Sequence, residues 1–271
     1  MNLPAFAGVL GTSLRRFWRL GRVLLHIGTG VLLSALPLRT GQAPRLWPLR
    51  WWSRRLLRIL NVQLEVSGNY AAGPVLLVAN HISWLDVMCL AAACPTYFLA
   101  KGEVARWPLF GWLCHRSGTL FIERGERHSS SMACEQIVWR LRAGHKVLIF
   151  PEGTSTDGQG VRRFHARLLQ AAELAKTPLQ PIAIAYPTST GPNRMVPFIG
   201  DADLGTHLWR LLAAPQTEAK LQFCPVKAPG QDARNALARH CQNTIEQTLP
   251  ILHGSTPAAL VQAKTRYQRA Q

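Results

Sequence analysis

From residue 63 onward, short apolar runs alternate with longer stretches in which apolar residues recur at helical spacing. The apolar runs predict strands at Gln63–Val66, Val75–Ala79, Thr96–Ala100, Thr119–Ile122, Val147–Phe150, Gln180–Ala185 and Leu221–Pro225. Helices are predicted at Trp84–Ala93, Met132–Arg142, Phe164–Ala175 and Ala233–Leu249. Gly153–Gly160 and Thr188–Pro197 read as loops from their Gly, Pro, Ser and Thr content. Several strands are apolar throughout, as in a sheet covered on both faces. The expected fold is α/β, a mixed and mostly buried sheet flanked by helices.

The first 62 residues follow another pattern. Val23 to Leu38 is a mostly apolar run of 16 residues between Arg22 and Arg39. A spanning helix needs about 20 residues, so the run reads as a shallow or re-entrant insertion. Arginines on both flanks select no orientation, and no small-residue cleavage site marks a signal peptide. Leu46 to Leu60 reads as a helix with Arg50, Arg54, Arg55 and Arg58 on one face and Leu49, Trp52, Leu56, Leu57, Ile59 and Leu60 on the other. Such a helix suits a membrane interface; the ordinary alternative is a helix docked on the protein's own core. The first acid in the chain is Glu65, and a solvated helix face usually mixes signs, which favours the membrane. The division expected is 1–62, an Arg-rich membrane-anchoring segment; 63–252, the α/β domain; and 253–271, a basic, disordered tail.

Charge sharpens this picture. The chain of 271 residues carries a net charge of +17, which favours anionic partners such as nucleic acid, anionic lipid or phosphorylated substrates. The arginines of the N-terminal segment lie on an amphipathic helix beside an apolar run, and no RNA- or DNA-binding motif is present, so nucleic acid is set aside. Cys89, Cys94, Cys114, Cys134, Cys224 and Cys241 form no CxxC pair and no metal-ligand spacing; their apolar flanks make them small core residues.

The chemistry centres on Asn80-His81-Ile82-Ser83-Trp84-Leu85-Asp86, between a predicted strand and a predicted helix. In one continuous helix His81 and Asp86 would point roughly 140° apart. They meet only if the helix starts between them. Ser83 is a good N-cap, and Ser83–Asp86 has the form of a capping box. His81 then lies outside the helix and can turn back to Asp86, which would hold one ring nitrogen and leave the other free as a base. With Ser83 used as the cap, a covalent Ser-His-Asp scheme is disfavoured. Asp86 as a plain helix cap and His81 as a turn histidine is the ordinary alternative. Gly118 to Arg124 reads as a strand ending in a cation that could bind phosphate, as could Lys101 after the strand before it. In Phe150-Pro151-Glu152-Gly153-Thr154-Ser155, Gly153 can let a backbone amide approach an anion.

Taken in order, Asn-His-x-Ser-x-x-Asp at 80–86, Gly-x-x-Phe-Ile-x-Arg at 118–124, Phe-Pro-Glu-Gly-Thr at 150–154 and the apolar strand around Pro181 resemble the glycerolipid acyltransferases, whose bacterial type is 1-acylglycerol-3-phosphate acyltransferase. The block at 150–156 departs slightly, with Ser155 directly after Thr154. The resemblance spans about residues 65–225. It implies His81 as general base and Asp86 as its orienting partner. Asn80, Ser83, Lys101, Gly118, Phe121, Arg124, Glu152, Gly153 and Thr154 become the positions that hold the turn or the acceptor. The implied reaction moves an acyl group from acyl-CoA or acyl carrier protein to a lysophospholipid hydroxyl, with no acyl-enzyme, metal or bound cofactor. Lysophosphatidate is the expected acceptor and lyso-ornithine lipid the alternative. The implied place is the cytosolic face of a bacterial inner membrane, against an anionic lipid surface. A reading of another class is a non-enzymatic peripheral binder of anionic membranes.

Overall fold

A computed structural model describes residues 3–35, 46–123, 127–230 and 232–254. Arg124 and the tail from 255 lie outside the described residues, as do 36–38 at the end of the apolar run.

Nine strands are described: β1 (Val62–Ser67), β2 (Val75–Ala79), β3 (Tyr97–Lys101), β4 (Leu120–Ile122), β5 (Lys146–Ile149), β6 (Leu179–Ala185), β7 (Pro187–Thr188), β8 (Gly191–Pro192) and β9 (Thr217–Phe223). Seven form one sheet in the order β1-β9-β6-β2-β5-β3-β4. Every neighbouring pair in it is parallel except β6 with β9. The helices are α1 (Leu3–Ala35), α2 (Trp47–Leu60), α3 (Trp84–Ala93), α4 (Gly102–Ala105), α5 (Phe110–Arg116), α6 (Arg127–Arg142), α7 (Gln170–Ala175), α8 (Leu204–Ala213) and α9 (Arg234–Leu252).

The pleat of the central strands divides the core in two. On β2, Val75, Leu77 and Ala79 enter one core with α2 and α3, while Leu76 and Val78 enter a second with α6, α7 and α9. This two-sided burial explains why β2 and β6 are apolar along their whole length. Since β6, β2 and β5 are adjacent and parallel, their carboxyl ends reach the same edge of the sheet, where open α/β folds place their sites.

The expected α/β architecture holds, with local differences. β9 starts four residues earlier than its apolar end indicates, because Thr217, Ala219, Leu221 and Phe223 are buried in strict alternation with outward-facing polar residues. Helix α8 is absent from the sequence-based expectation; it is capped by Asp203, whose carboxylate accepts the Thr206 amide at 2.8 Å. The Phe164–Ala175 helix is realised only from residue 166, as a 3₁₀ turn (Ala166–Leu169) leading into α7. The loop at 188–197 begins with the small β7–β8 hairpin.

The N-terminal segment differs most. Val23–Ala35 is the last part of a 33-residue helix that runs unbroken through Arg22, not a separate insertion. Among the described residues, no helix is long and apolar enough to cross a membrane. Helix α2 forms as expected, but the apolar face read as facing a bilayer closes on the protein: Leu56, Leu57, Ile59 and Leu60 are buried in the same core as Val23, Leu77 and Leu85. Its arginine face is partly used internally. Arg50 and Arg54 both donate to the carbonyl of Ala92, at the carboxyl end of α3, where a helix dipole favours cations. Arg19 does the same for α8, donating to the carbonyls of Leu212, Ala214 and Pro215. His26 and Trp52 join α1 to α2: the Trp52 indole donates to the His26 carbonyl at 3.0 Å, and their rings stack at 4.7 Å. The cysteines are core residues, five buried and Cys114 half-buried.

Truncating Arg19 takes its donor from the Leu212 and Ala214 carbonyls at a helix end, while the Pro215 carbonyl keeps the Asn61 side-chain amide at 2.6 Å. Arg19→Ala is expected to lower stability by about 2 kcal/mol, read as a lower urea midpoint at unchanged slope.

Candidate active site at the carboxyl ends of three strands

The turn after β2 is built around one carboxylate. Asp86 is fully buried. Its Oδ2 accepts the backbone amides of Ile82 (2.7 Å) and Ser83 (2.9 Å) and the Nδ1–H of His81 (2.8 Å). Its Oδ1 accepts the hydroxyl of Tyr186, one residue past β6, at 2.7 Å. The capping box is present, with the Ser83 hydroxyl accepting the Leu85 amide. The helix therefore does begin between His81 and Asp86, and the two readings of Asp86, cap and histidine partner, are one arrangement. With Nδ1 donating to Asp86, the lone pair of His81 lies on Nε2. His81 lines a cavity of about 1580 Å³ and stacks on Phe150 at 4.2 Å.

The loop after β5 clamps the backbone of His81. Glu152, buried, accepts the His81 amide on one oxygen (2.7 Å) and the Arg162 amide on the other (2.8 Å). The amide and hydroxyl of Thr156 donate to the His81 carbonyl at 2.8 and 3.1 Å. Burial shifts the Glu152 carboxyl upward, against the downward pull of the two amides. Asn80 pairs with β6 in the manner of a strand, its amide donating to the Ile184 carbonyl (3.0 Å) and its oxygen accepting the Ile184 amide (2.8 Å). The residues expected to touch substrate thus fall into two groups. Lys101, Gly153 and Thr154 line the cavity with His81. Asn80, Ser83 and Glu152 are buried and spend their polar atoms on the protein, so they position the turn. Gly118 adopts φ 78° as it leaves α5, a left-handed turn that suits glycine; Phe121 packs on the ring of His115 at 4.6 Å.

Three contributors escaped the sequence reading. Tyr186 lies 100 residues from Asp86, and no local spacing announces it, although it directly follows the apolar strand matched around Pro181. Thr156 is the last residue of the block at 150–156, but no role was read for it. His207 on α8 accepts the Trp84 indole N–H on Nδ1 (3.0 Å) and thereby donates from Nε2 to the Val196 carbonyl (3.0 Å). It ties the start of α3 to the 196–200 loop, where the Phe198 amide donates to the Ile82 carbonyl at 2.9 Å.

The cavity is mostly apolar. Its walls include Val23, Ile27 and Leu33 of α1, Leu49 and Trp52 of α2, Val87 and Met88 of α3, and Leu113 of α5. Its polar lining includes Lys101, Glu123, His165 and Arg167. An apolar chamber with an oriented imidazole at its wall can hold a long hydrocarbon chain and deprotonate a hydroxyl beside it.

The Acyltransferase family model matches residues 61–185. Lyso-ornithine lipid O-acyltransferase of Pseudomonas aeruginosa is 43% identical over 201 residues, covering 74% of this chain and 77% of that one. 1-acyl-sn-glycerol-3-phosphate acyltransferase of Neisseria meningitidis is 32% identical, covering 71% and 76%. The crystal structure of the 1-acyl-sn-glycerophosphate acyltransferase PlsC of Thermotoga maritima superposes with a TM-score of 0.67 over 90% of this chain and 97% of that one. At 19% identity it speaks for the fold.

Tyr186→Phe leaves one oxygen of a fully buried carboxylate without its donor, and is expected to lower kcat about tenfold with KM little changed. Asp86→Asn should lower kcat by about 10²–10⁴-fold, since a neutral amide cannot stabilise the imidazolium that His81 becomes as it takes the proton. Burial also holds His145, His207, His240 and His253 below the ordinary histidine range. Each stays neutral in the folded chain where the unfolded chain takes up a proton. Stability is therefore full above about pH 6.5 and falls as the pH drops below it; Glu152, shifted upward, opposes this only near the carboxylate range. A thermal-unfolding series from pH 7.5 to 5.5 is expected to show a declining Tm.

Proposed function

This chain belongs to the acyltransferase family and is an O-acyltransferase of the PlsC type; on that premise we propose that it acylates the free hydroxyl of a lyso-ornithine lipid. The observation that carries the reaction is the His81–Asp86 pair, 2.8 Å apart, at the wall of an apolar cavity. His81 Nε2 takes the proton of the acceptor hydroxyl as its oxygen attacks the thioester carbonyl of acyl-CoA or acyl carrier protein. The carbon–sulfur bond breaks, and the proton on His81 passes to the departing thiolate. Asp86 keeps the ring in the tautomer that exposes Nε2 and stabilises the imidazolium formed on the way. The Ser83 hydroxyl stays at its cap, so the acyl group moves directly, without an acyl-enzyme, metal or bound cofactor.

Two observations support the acceptor. The identity to the Pseudomonas lyso-ornithine lipid enzyme, 43%, exceeds the 32% to the Neisseria glycerophosphate enzyme. The cavity also carries an acid beside a base: Lys101 ends β3, and the carboxylate of Glu123 packs against the next residue, Gly102, so closely that a Cβ there would lie 2.4 Å from it. Glu123 also pairs with Arg106 at 3.1 Å, so an ornithine headgroup, with a free ammonium and a carboxylate, would enter a cluster that already mixes both signs of charge. Lysophosphatidate is the second reading, favoured by the Neisseria enzyme and by the net charge of +17. In either case the acceptor is a membrane lipid, and the enzyme works on the cytosolic face of the bacterial inner membrane, against its anionic lipid surface.

Release of CoA thiol is expected with lyso-ornithine lipid, more slowly with lysophosphatidate, and should be lost in His81→Ala while the melting profile is retained. Equal or faster turnover of lysophosphatidate would reverse the choice of acceptor, and full activity of His81→Ala would overturn the mechanism.

A further inference from the structure

The segment between β3 and β4 displays large apolar side chains outward. Trp107, Leu109, Phe110 and Trp112 are 42%, 40%, 37% and 41% exposed, four within six residues. Water-facing surfaces rarely gather apolar residues so densely without a partner. The backbone makes the display deliberate. The Phe110 amide donates to the Pro108 carbonyl at 2.6 Å, closing a γ-turn with Leu109 at its apex, φ 63° and ψ −55°. That conformation is rare and strained for a residue with a side chain, and strain of this kind is kept where it serves a function. The turn is also firmly built. Helix α5 lies against α4 at Gly111, where a Cβ would come within 2.1 Å of the Ala105 carbonyl. Arg116 donates to the Ser34 carbonyl at the end of α1, linking the two elements.

Trp107 and Phe110 line the cavity while remaining more than a third exposed, as does Trp47 at the start of α2. Residues that are both lining and exposed stand at the mouth. This side of the cavity is therefore rimmed by aromatic rings from two separate elements, with Arg106, 72% exposed and paired with Glu123 at 3.1 Å, beside them.

We propose that the 107–112 turn is a membrane-seating wedge that enters the acyl-chain boundary of an anionic bilayer and holds the cavity mouth open to lipid. The proposal rests on the reading that the acceptor is a membrane lipid. Tryptophans with flanking cations match the interface between headgroups and acyl chains. A net charge of +17 attracts this surface to anionic lipid and repels a second copy of the same chain. A second copy on this face would also close the mouth through which lipid must pass.

The test is hydrogen exchange of the full-length protein with and without vesicles of phosphatidylethanolamine and phosphatidylglycerol at 3:1. Peptides covering 107–112 are expected to exchange at least about tenfold more slowly with vesicles. Unchanged exchange there, while α1 becomes protected, would overturn the proposal. Protection that rises with protein concentration in the absence of vesicles would also overturn it, in favour of a dimer. The functional arm uses the double variant Leu109→Asp with Trp112→Ser, at two positions off the cavity lining. Turnover of acceptor embedded in vesicles should fall about tenfold, and turnover of a detergent-dispersed short-chain acceptor should be retained; equal turnover on vesicles would refute the wedge. Should no lyso-lipid be acylated at all, the reading of the reaction fails, while the exchange result still decides whether the wedge meets lipid.

Discussion

A carboxylate with no access to water is costly unless its charge is met by donors on the spot. Asp86 meets that demand with four, drawn from two places in the chain: two backbone amides and the imidazole of its own turn, and a phenol just past β6. The catalytic geometry follows from satisfying this one group. If the turn opened, the acid would lose the cap that starts α3 and the histidine would lose its orientation together. The neighbouring strands exist at the right distance to complete the set, because β6, β2 and β5 lie side by side in parallel and deliver Tyr186, His81 and Glu152 to one edge.

Much of this was legible along the chain. β2 and α3 fall at the residues expected, Val75–Ala79 and Trp84–Ala93, because a fully apolar strand and a capped helix are both local signals. The necessity of a helix start between His81 and Asp86 followed from helical geometry alone. What stayed hidden is tertiary in origin. Tyr186 matters through a contact across 100 residues, and α8, though capped by Asp203, follows a loop-like run that hid its start. Glu152 belongs to a recognisable block, yet only the fold reveals that both its oxygens face backbone amides and not the cavity. That Lys101 and Glu123 line one cavity was also illegible, since the two lie on different strands' ends and meet only in the fold.

Charge proved the least direct of the signals. A run of arginines without acids invites an electrostatic reading against an outside surface. Yet Arg19, Arg50 and Arg54 direct nitrogens to the carbonyl ends of α8 and α3. Where helices end against one another, a long cation can neutralise the exposed carbonyls while its stem covers apolar surface. Part of the excess is thus structural, and the outward-facing remainder works beside exposed tryptophan and leucine rather than alone.

Val23 and the Leu56–Leu60 stretch share a core with the strands that carry the catalytic turn. The N-terminal helices are thus not a detachable tether. Chimaeras that exchange residues 1–60 for an unrelated anchor would expose the flank of the sheet that α2 now covers. Any redesign of these two helices would have to repaint their outer surface, residue by residue, with the inner one left in place.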